Sequence, residues 1–513
     1  MTLGDLLAGL VTPALLSAPP ITTTPSAPVT AVTYDSRRVT PGTVFVALRG
    51  LKADGAQFAL QAVARGAVAV VAETETRSPS PVPWVVVPDA RLALALLADR
   101  LHGHPSGELK VVGITGTNGK TTTAYLLRSI FEAAGMRCGL LGTVVYSLGQ
   151  QDIDATRTTP ESADVQQMLR QMVDNGCAAA AQARVTTLPS LRRADGIAFA
   201  AAVFTNLTRD HLDFHGDMER YFGAKRRLFE LLPDGAPGVV NLDDPRGAAL
   251  VSVAPRTVTY ALRQNADVTP EPFELALSGL SFTARTPRGP VRVQSALVGR
   301  PNVYNLLAAV ATASALDVPV RAIEQGLAAL AGVPGRFQVV SSPEDDVALV
   351  VDYAHTDDAL KNLLETARAL SQGRMLTVFG CGGDRDRTKR PLMGAVAGRL
   401  SDVVVITSDN PRSEDPARII EDVERGIPGA AERAAAGRSG ARAQVRRPEV
   451  LSIVDRGDAI ARAVEMARSG DLVIVAGKGH EKTQVIGDRE LPFDDVDVSR
   501  AALLRRRARQ RVG

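Results

Sequence analysis

The segment GITGTNGKTTT, residues 113–123, constrains this chain more than any other. The apolar run KVVGIT precedes it and the amphipathic stretch TTTAYLLRSIFEAAG follows, so the pattern predicts a strand, a glycine turn and a helix in that order. Such a turn lets Gly116 and Gly119 bring backbone N–H groups to converge on phosphate oxygens where the helix begins. Gly116, Thr117, Asn118, Gly119, Lys120, Thr121 and Thr122 form the candidate nucleotide site. Lys120 is positioned to reach the β/γ-phosphates and Thr121 to ligate Mg²⁺. The strict form of this motif has Gly five residues before Gly119, where Ile114 stands. The strand and helix on either side therefore carry the reading, and they imply an α/β domain that binds a nucleotide.

At 513 residues the chain is long enough for about three domains, each with its own core. A Pro/Thr-rich loop is followed by the β-rich runs AVTYDSRRV, GTVFVAL and AVAVVAE, with the helical QFALQAVARG among them. This gives an expected first α/β domain at 1–105, closed by the turn-rich HGHPSG. The phosphate-loop domain is expected at 106–332, with VGRPNVYNLLAAVATASAL as a late helix, and GVPGRF reads as a hinge. In the third domain, 333–513, the runs ALVVDYAH, MLTVFGCGG, DVVVITSDN and DLVIVAGKG alternate with helical patterns such as ALKNLLETARAL. Alternation of that kind implies a doubly wound, Rossmann-like parallel sheet with its functional loops at the carboxyl ends of the strands.

Net charge is only +3 and the arginines are scattered apart from the tail RRRARQR, so nucleic acid is not an expected partner. Cys138, Cys177 and Cys381 are far apart and read as buried thiols in a reducing compartment. The N-terminus carries Asp5 in its apolar run and lacks a basic start, and no apolar run reaches the length of a membrane span. A cytoplasmic monomer without membrane insertion is the expectation.

The wording TGTNGKTT resembles the Mur ligases, which join amino acids to the peptidoglycan precursor. The likeness extends through YDSRRVTPGTVFVAL, TTPES, FTNLTRDHLDFHGDMERYFGAK, GRPNVYNLLAA, GRFQ, DYAHTDDAL, FGCGGDRDRTKRPLMG, TSDNPR and GKGHE. In that order the set is similar to the E type, which adds the third residue to UDP-N-acetylmuramoyl-L-alanyl-D-glutamate. The resemblance implies γ-phosphoryl transfer to the D-glutamyl carboxylate, then capture of the acyl-phosphate by an amine. It makes His211 a Mg²⁺ ligand and Lys225 the lysine that the family carbamylates, a bridge for a second Mg²⁺, with Lys120, Lys225 and His211 the catalytic set. Asp210 and Asp213 read as structural. Ser36, beside Arg37, is expected at the uridine diphosphate end, and Thr158 and Thr159 at the sugar-peptide. Asn302 is expected at adenine, although Pro301 replaces the commoner Phe or Leu. Arg336 is expected on the ATP phosphates when the third domain closes, with Asp352 and His355 lining the same cleft.

Amino-acid choice belongs to the third domain. Arg412 offers a planar fork for a carboxylate, and Asp409 and Asn410 can hold an amine. Arg385, Gly477 and Glu481 complete the expected site. A side-chain carboxylate satisfies Arg412 where a bare ammonium faces it unfavourably, which points to meso-diaminopimelate over L-lysine; L-ornithine stays open. Folylpolyglutamate synthetase shares the ATP loop and is a further alternative.

One stretch departs from the family. Counted without gaps, its E-V-S-S-H-A-L segment falls on Ala183, Arg184, Val185, Thr186, Thr187, Leu188 and Pro189, and only the substrate-binding Arg193 persists nearby. The metal-ligating Glu is thus replaced by Ala183. Divergence, which would leave a nucleotide- and precursor-binding protein with little or no turnover, and paired frameshifts in the gene or its record both account for this. Reading the nucleotides around codons 178–192 decides between them. An alternative frame spelling Ser-Asp-His-Ala identifies the frameshift, and an undisturbed frame without Ser-x-His identifies divergence.

Overall fold

The computed structural model describes residues 1–8, 26–50, 54–76, 79–142, 145–154, 160–183, 192–208, 217–427 and 448–512. Within them the chain builds three α/β layers in succession. In the first, strands Ala31–Thr33, Thr43–Val46, Ala67–Ala72 and Trp84–Val86 pair in parallel in chain order. Helix Ala90–Leu101 closes over them; the Asp89 carboxylate accepts from Leu92 N at its start, and Ala93, Leu94 and Leu97 are buried.

The central sheet has eight strands. From one edge they run Arg256–Tyr260, Pro237–Asn241, Phe199–Phe204, Lys110–Thr115, Ala179–Gln182 and Cys138–Leu141, all parallel, ending in the antiparallel Val145–Ser147 and Asp152–Asp154. Strand Lys110–Thr115 lies in the middle, and its alternate residues feed two cores. Val112 and Ile114 join Leu126, Leu127 and Ile130 of helix Lys120–Ala133, whereas Val111 joins Phe199, Phe222 and Leu228 on the opposite face. A continuous apolar run is what a strand covered on both faces requires. Helix Arg300–Ala315 is buried along most of its length on the first of these faces. Sequence reasoning did not separate out the small antiparallel sheet around Gly279–Arg285, although Leu280, Phe282 and Ala284 alternate with less buried neighbours there.

In the third layer Gln338–Val339 pairs antiparallel with Ala348–Asp352. Leu472–Ala476, Met375–Cys381, Val403–Ser408 and Glu449–Ser452 then follow in parallel. DYAH, GKGHE, GCGGD and SDNPR consequently leave the sheet side by side at one end. The three cysteines are buried and unbridged, and burial raises each thiol's pKa. Among the described residues no helix is long and apolar enough to cross a membrane.

Two buried arginines hold that end together. Arg456 and Asp495 are each 0% exposed at the side chain; Nε and Nη2 each donate to a carboxylate oxygen at 2.7 Å, and Nη2 also donates to Ala476 O. Arg390 donates to Glu414, Asp422 and Gly382 O, and this guanidinium holds the Glu414 carboxyl down at about 2, with Asp384 N and Arg387 acting in the same direction.

Arg456→Met leaves Asp495 as an unpaired buried charge and is expected to cost about 3–5 kcal/mol in urea unfolding, whereas replacing both partners by apolar residues costs far less. A single-variant loss below about 1 kcal/mol contradicts this assignment. For Glu414 the folded pKa lies below the ordinary 4.5, so its contribution is fully present above pH 4.5 and is lost as pH falls towards 2. Glu414→Gln is therefore expected to be less stable than the parent at pH 7, and the two unfolding curves to converge across that acid window.

Candidate functional site

The phosphate loop, residues 116–119, is formed against another backbone. Gly116 has φ 147° and Gly119 φ 86°. A Cβ on Gly116 would lie 1.8 Å from Thr205 Oγ1, and one on Gly119 2.3 Å from Asn305 Oδ1. Side chains are excluded by contact as well as by dihedral. Residues 205–208, at the carboxyl end of strand Phe199–Phe204, brace the turn. Thr117 N donates to Asn206 O at 2.9 Å, Asn118 N to Asn206 Oδ1 at 2.9 Å, Thr205 Oγ1 to Asn118 O at 2.6 Å and Thr208 N to Thr117 Oγ1 at 2.9 Å. Lys120 Nζ folds back over the turn and donates to Gly116 O and Thr117 O, both at 2.7 Å. Thr121 and Thr122 are buried in the first turn of helix Lys120–Ala133.

A cleft of about 570 Å³ opens beside this loop, lined by both the central and third layers. Asn118 and Gly119 form one side, Asp243, Arg263, Tyr304 and Asn305 another, and Asn362, Glu365 and Thr366 of helix Asp357–Leu370 a third. Asn118 Nδ2 donates to Asp358 Oδ2 at 3.2 Å, and a Cβ on Gly299 would lie 2.2 Å from Thr366 Cγ2. The third layer is thus seated against the loop and against the start of helix Arg300–Ala315. Asp243 accepts from Tyr304 O–H at 2.8 Å and from the backbone N–H groups of Leu262, Arg263 and Gln264. Asn302 lies just behind the lining. Its Nδ2 donates to Val298 O, and its Oδ1 accepts from Asn305 Nδ2 at 2.9 Å, so it orients the residue that touches the loop.

Lys225 sits on helix Met218–Glu230 with 1% exposure, its Nζ 3.8 Å from the centroid of the Tyr221 ring. Tyr221 also reaches the phosphate loop, its hydroxyl 3.4 Å from Thr117 Oγ1. Ala183 is fully buried at the end of strand Ala179–Gln182, directly beside the strand that leads into the loop, and its methyl offers nothing to a cation. His211, Asp210, Asp213, Thr158, Thr159 and residues 184–190 lie outside the described residues. No cluster of three His, Cys, Asp or Glu side chains suited to a metal occurs among the described residues.

At the hinge Gly335 (φ 66°) approaches His480 N so closely that a Cβ would lie 2.3 Å from it. Arg336 stacks over Tyr353, 5.0 Å from the ring centroid. Burial pushes the Asp352 carboxyl up, while Arg336 and the N–H groups of Phe337 and Ala354 pull it back. His355 lies against the other side of this group, 4.5 Å from Tyr353 between ring centroids, with Nδ1 2.9 Å from Tyr353 O.

Asp409 and Asn410 are buried at the end of strand Val403–Ser408. Asn410 Nδ2 donates to Glu481 Oε2 at 2.9 Å, and the ideal Cβ of Gly477 would lie 3.1 Å from Asp409 Oδ2. Arg412, at φ 51°, donates to Gly383 O at 2.7 Å, while Arg385, exposed on the neighbouring loop, donates to Asp384 O. Hairpin Thr483–Ile486/Arg489–Pro492 docks on this loop through Arg412 N to Val485 O and Val485 N to Asn410 Oδ1. Asp409, Asn410, Arg412, Arg385, Gly477 and Glu481 are therefore gathered into one group with both signs of charge.

Ser36 is apart from both groups, in the first layer, donating to Gln61 Oε1 at 3.1 Å. The adjoining Arg38 pairs with Asp164 of the central layer at 2.7 Å. Arg193 and Arg91 share Glu161, at 2.9 and 3.3 Å. Sequence reasoning missed Asn206, Asn305, Tyr304, Asp358 and Lys478. The polar letters after FT in FTNLT and within GRPNVYN were the only available signal for the first three.

Comparison with known proteins matches three family models along the chain. They are the Mur ligase family catalytic domain over residues 28–102, the Mur ligase middle domain over 114–313, and the Mur ligase glutamate ligase domain over 335–479. A UDP-N-acetylmuramoyl-L-alanyl-D-glutamate–2,6-diaminopimelate ligase from Solibacter usitatus is 45% identical over 508 residues, covering 98% of each chain. A solved structure of a ligase so described covers 99% of each chain at 33% identity and TM-score 0.68. A MurF ligase from Thermotoga maritima in complex with ADP, 19% identical, shares the fold at TM-score 0.61 over 94% of this chain and 99% of its own. With the phosphate loop at its centre and relatives aligned from end to end, this chain belongs to the Mur ligase family of ATP-dependent ligases.

Proposed function

We propose that the chain joins meso-diaminopimelate to UDP-N-acetylmuramoyl-L-alanyl-D-glutamate in peptidoglycan synthesis, with ATP as phosphoryl donor. The observation that supports this is the seating of the third layer on the phosphate loop, Asp358 against Asn118, on a sheet whose strand ends at 352–355, 382–385, 409–412 and 477–481 emerge side by side. The names of the near full-length relatives support the choice of precursor and amino acid, and speak for it over a folate substrate. L-Lysine and L-ornithine remain the competing diamino acids.

In this reading a D-glutamyl carboxylate oxygen attacks the γ-phosphorus and ADP leaves. The amine, having lost its proton, attacks the acyl carbon, and phosphate departs with one of the carboxylate oxygens. Glycine backbone at 116–119 and the Lys120 ammonium hold the phosphates, with Thr117, Asn118, Thr121 and Thr122 completing the cradle. Arg336, Asp352 and His355 are assigned to the nucleotide, and Asn302 acts from behind the lining by orienting Asn305. Glycine at 116 and 119, which the packing of the turn on Thr205 and Asn305 requires, supports a phosphate-binding role for this backbone. Mg²⁺ would neutralise charge on the phosphates, held by the Thr121 hydroxyl, His211 and, if carbamylated, Lys225. Ser36, Thr158, Thr159 and Arg193 are assigned to the precursor. Arg385, Asp409, Asn410, Arg412, Gly477 and Glu481 are assigned to the amino acid, with Arg412 on its distal carboxylate. Domain limits at 105/106 and 332/333, a cytoplasmic monomer, and the absence of nucleic-acid or membrane partners belong to the same proposal. Ala183 favours a second reading, a binding protein without turnover, because it places a buried methyl where relatives of this type carry a metal-ligating carboxylate.

Phosphate release with ATP, Mg²⁺ and the muramoyl dipeptide separates the readings. It is expected only when a diamino acid is added, fastest with meso-diaminopimelate, and Lys120→Ala should lower it by about a hundredfold or more. Nucleotide binding without any amino-acid-dependent release supports the inactive homologue, and faster release with L-lysine or L-ornithine overturns the choice of substrate.

A further inference from the structure

Lys478 is 0% exposed, yet it lies at the centre of the charged group on the third layer. It stands between Gly477 (φ 118°) and Gly479 (φ 56°), in a turn where a Cβ on Gly479 would lie 2.7 Å from Tyr353 Cβ. This crowding fixes the course of the backbone. Nζ lies 3.0 Å from Glu481 Oε2, 3.1 Å from Asn410 Oδ1 and 3.8 Å from Asp409 Oδ1. Asn410 Oδ1 also accepts from Val485 N, and Nδ2 donates to Glu481 Oε2. With two donors on one side and a carboxylate on the other, the amide can face only one way. Both bonds to Glu481 land on Oε2, and among the described residues Oε1 accepts none. The nearby Arg456 charge is taken up chiefly by Asp495, so Lys478 is the buried ammonium that Asp409 and Glu481 share as an ion-pair partner.

We propose that Lys478 is the positioning residue of the amino-acid site. It orients the Asn410 amide, pins Glu481 through Oε2 so that Oε1 is offered to the incoming ammonium, and offsets part of the negative charge of Asp409 and Glu481. The proposal rests on assigning Asp409, Asn410 and Glu481 to the amino acid. Removing the ammonium frees Glu481 and leaves two close carboxylates, so the ammonium loses its oriented partner.

The test is steady-state phosphate release by Lys478→Met and Lys478→Arg, with each substrate varied in turn. Lys478→Met is expected to raise KM for the diamino acid by about ten- to a hundredfold, and to leave KM for ATP and for the muramoyl dipeptide within about twofold. Lys478→Arg, which keeps the charge, should recover part of the loss. Should Lys478→Met fail to fold, Lys478→Gln is measured in the same way. An amino-acid KM that ignores the substitution, or equal rises in all three constants, overturns the proposal. A wild type that releases no phosphate with any diamino acid overturns the proposed activity on which this inference rests, an outcome distinct from an active enzyme indifferent to Lys478.

Discussion

The structure turns on the contact between two backbones, the glycine loop at 116–119 and the strand end at 205–208. Each half alone would be an ordinary turn. Pressed together they exchange seven hydrogen bonds through Thr117, Asn118, Thr205, Asn206 and Thr208, and Asn305 closes the third side. Bonds of this kind hold the turn in one shape, which is what electrostatic stabilisation of a transferring phosphoryl group requires. Lys120 is held at the same place by the loop's own carbonyls. The sheet register supplies the rest, since strands Phe199–Phe204 and Lys110–Thr115 are parallel neighbours and so end at the same level.

At the third layer the problem is charge. Asp352, Asp409, Glu481, Arg336, Arg412, Arg456 and Lys478 all crowd the carboxyl ends of its strands, where isolated charges would be costly. The Arg456–Asp495 pair sits beneath the sheet end and donates to the carbonyl of Ala476, while Arg390 ties Gly382 O to Glu414 and Asp422. These pairs offset charge in the underlying layer, beneath a group that carries both signs. Helix Asp357–Leu370 links this layer to the phosphate loop through Asp358 and Asn118.

The parts legible in the sequence were those written in local rules. Gly116 and Gly119 announce themselves because only glycine tolerates their dihedrals and contacts, and the apolar runs of the third layer gave its parallel strands because both faces are covered. The strand-end loops were legible for the same reason, since polar tails on buried strands have one end of the sheet to occupy. What was not legible depends on residues distant in the chain. Arg456 finds Asp495 across 39 positions, and Asn118 finds Asp358 across 240. Nothing local to GKGHE marks Lys478, whose role depends on the fold that sets it against Asp409 and Asn410. Asn302 and Asn305 are three apart on one helix face, and only the packing of Gly119 on Asn305 distinguishes the residue at the loop from the one that orients it.

If a carboxylate is phosphorylated at the loop, one of its oxygens must leave with the phosphate, and ¹⁸O labelling follows that atom. With the D-glutamyl side-chain carboxylate of the muramoyl dipeptide enriched in ¹⁸O, turnover in unlabelled water should deliver one labelled oxygen to the released phosphate for each amide formed. Phosphate free of label, with both oxygens of the carboxylate accounted for elsewhere, would contradict the account.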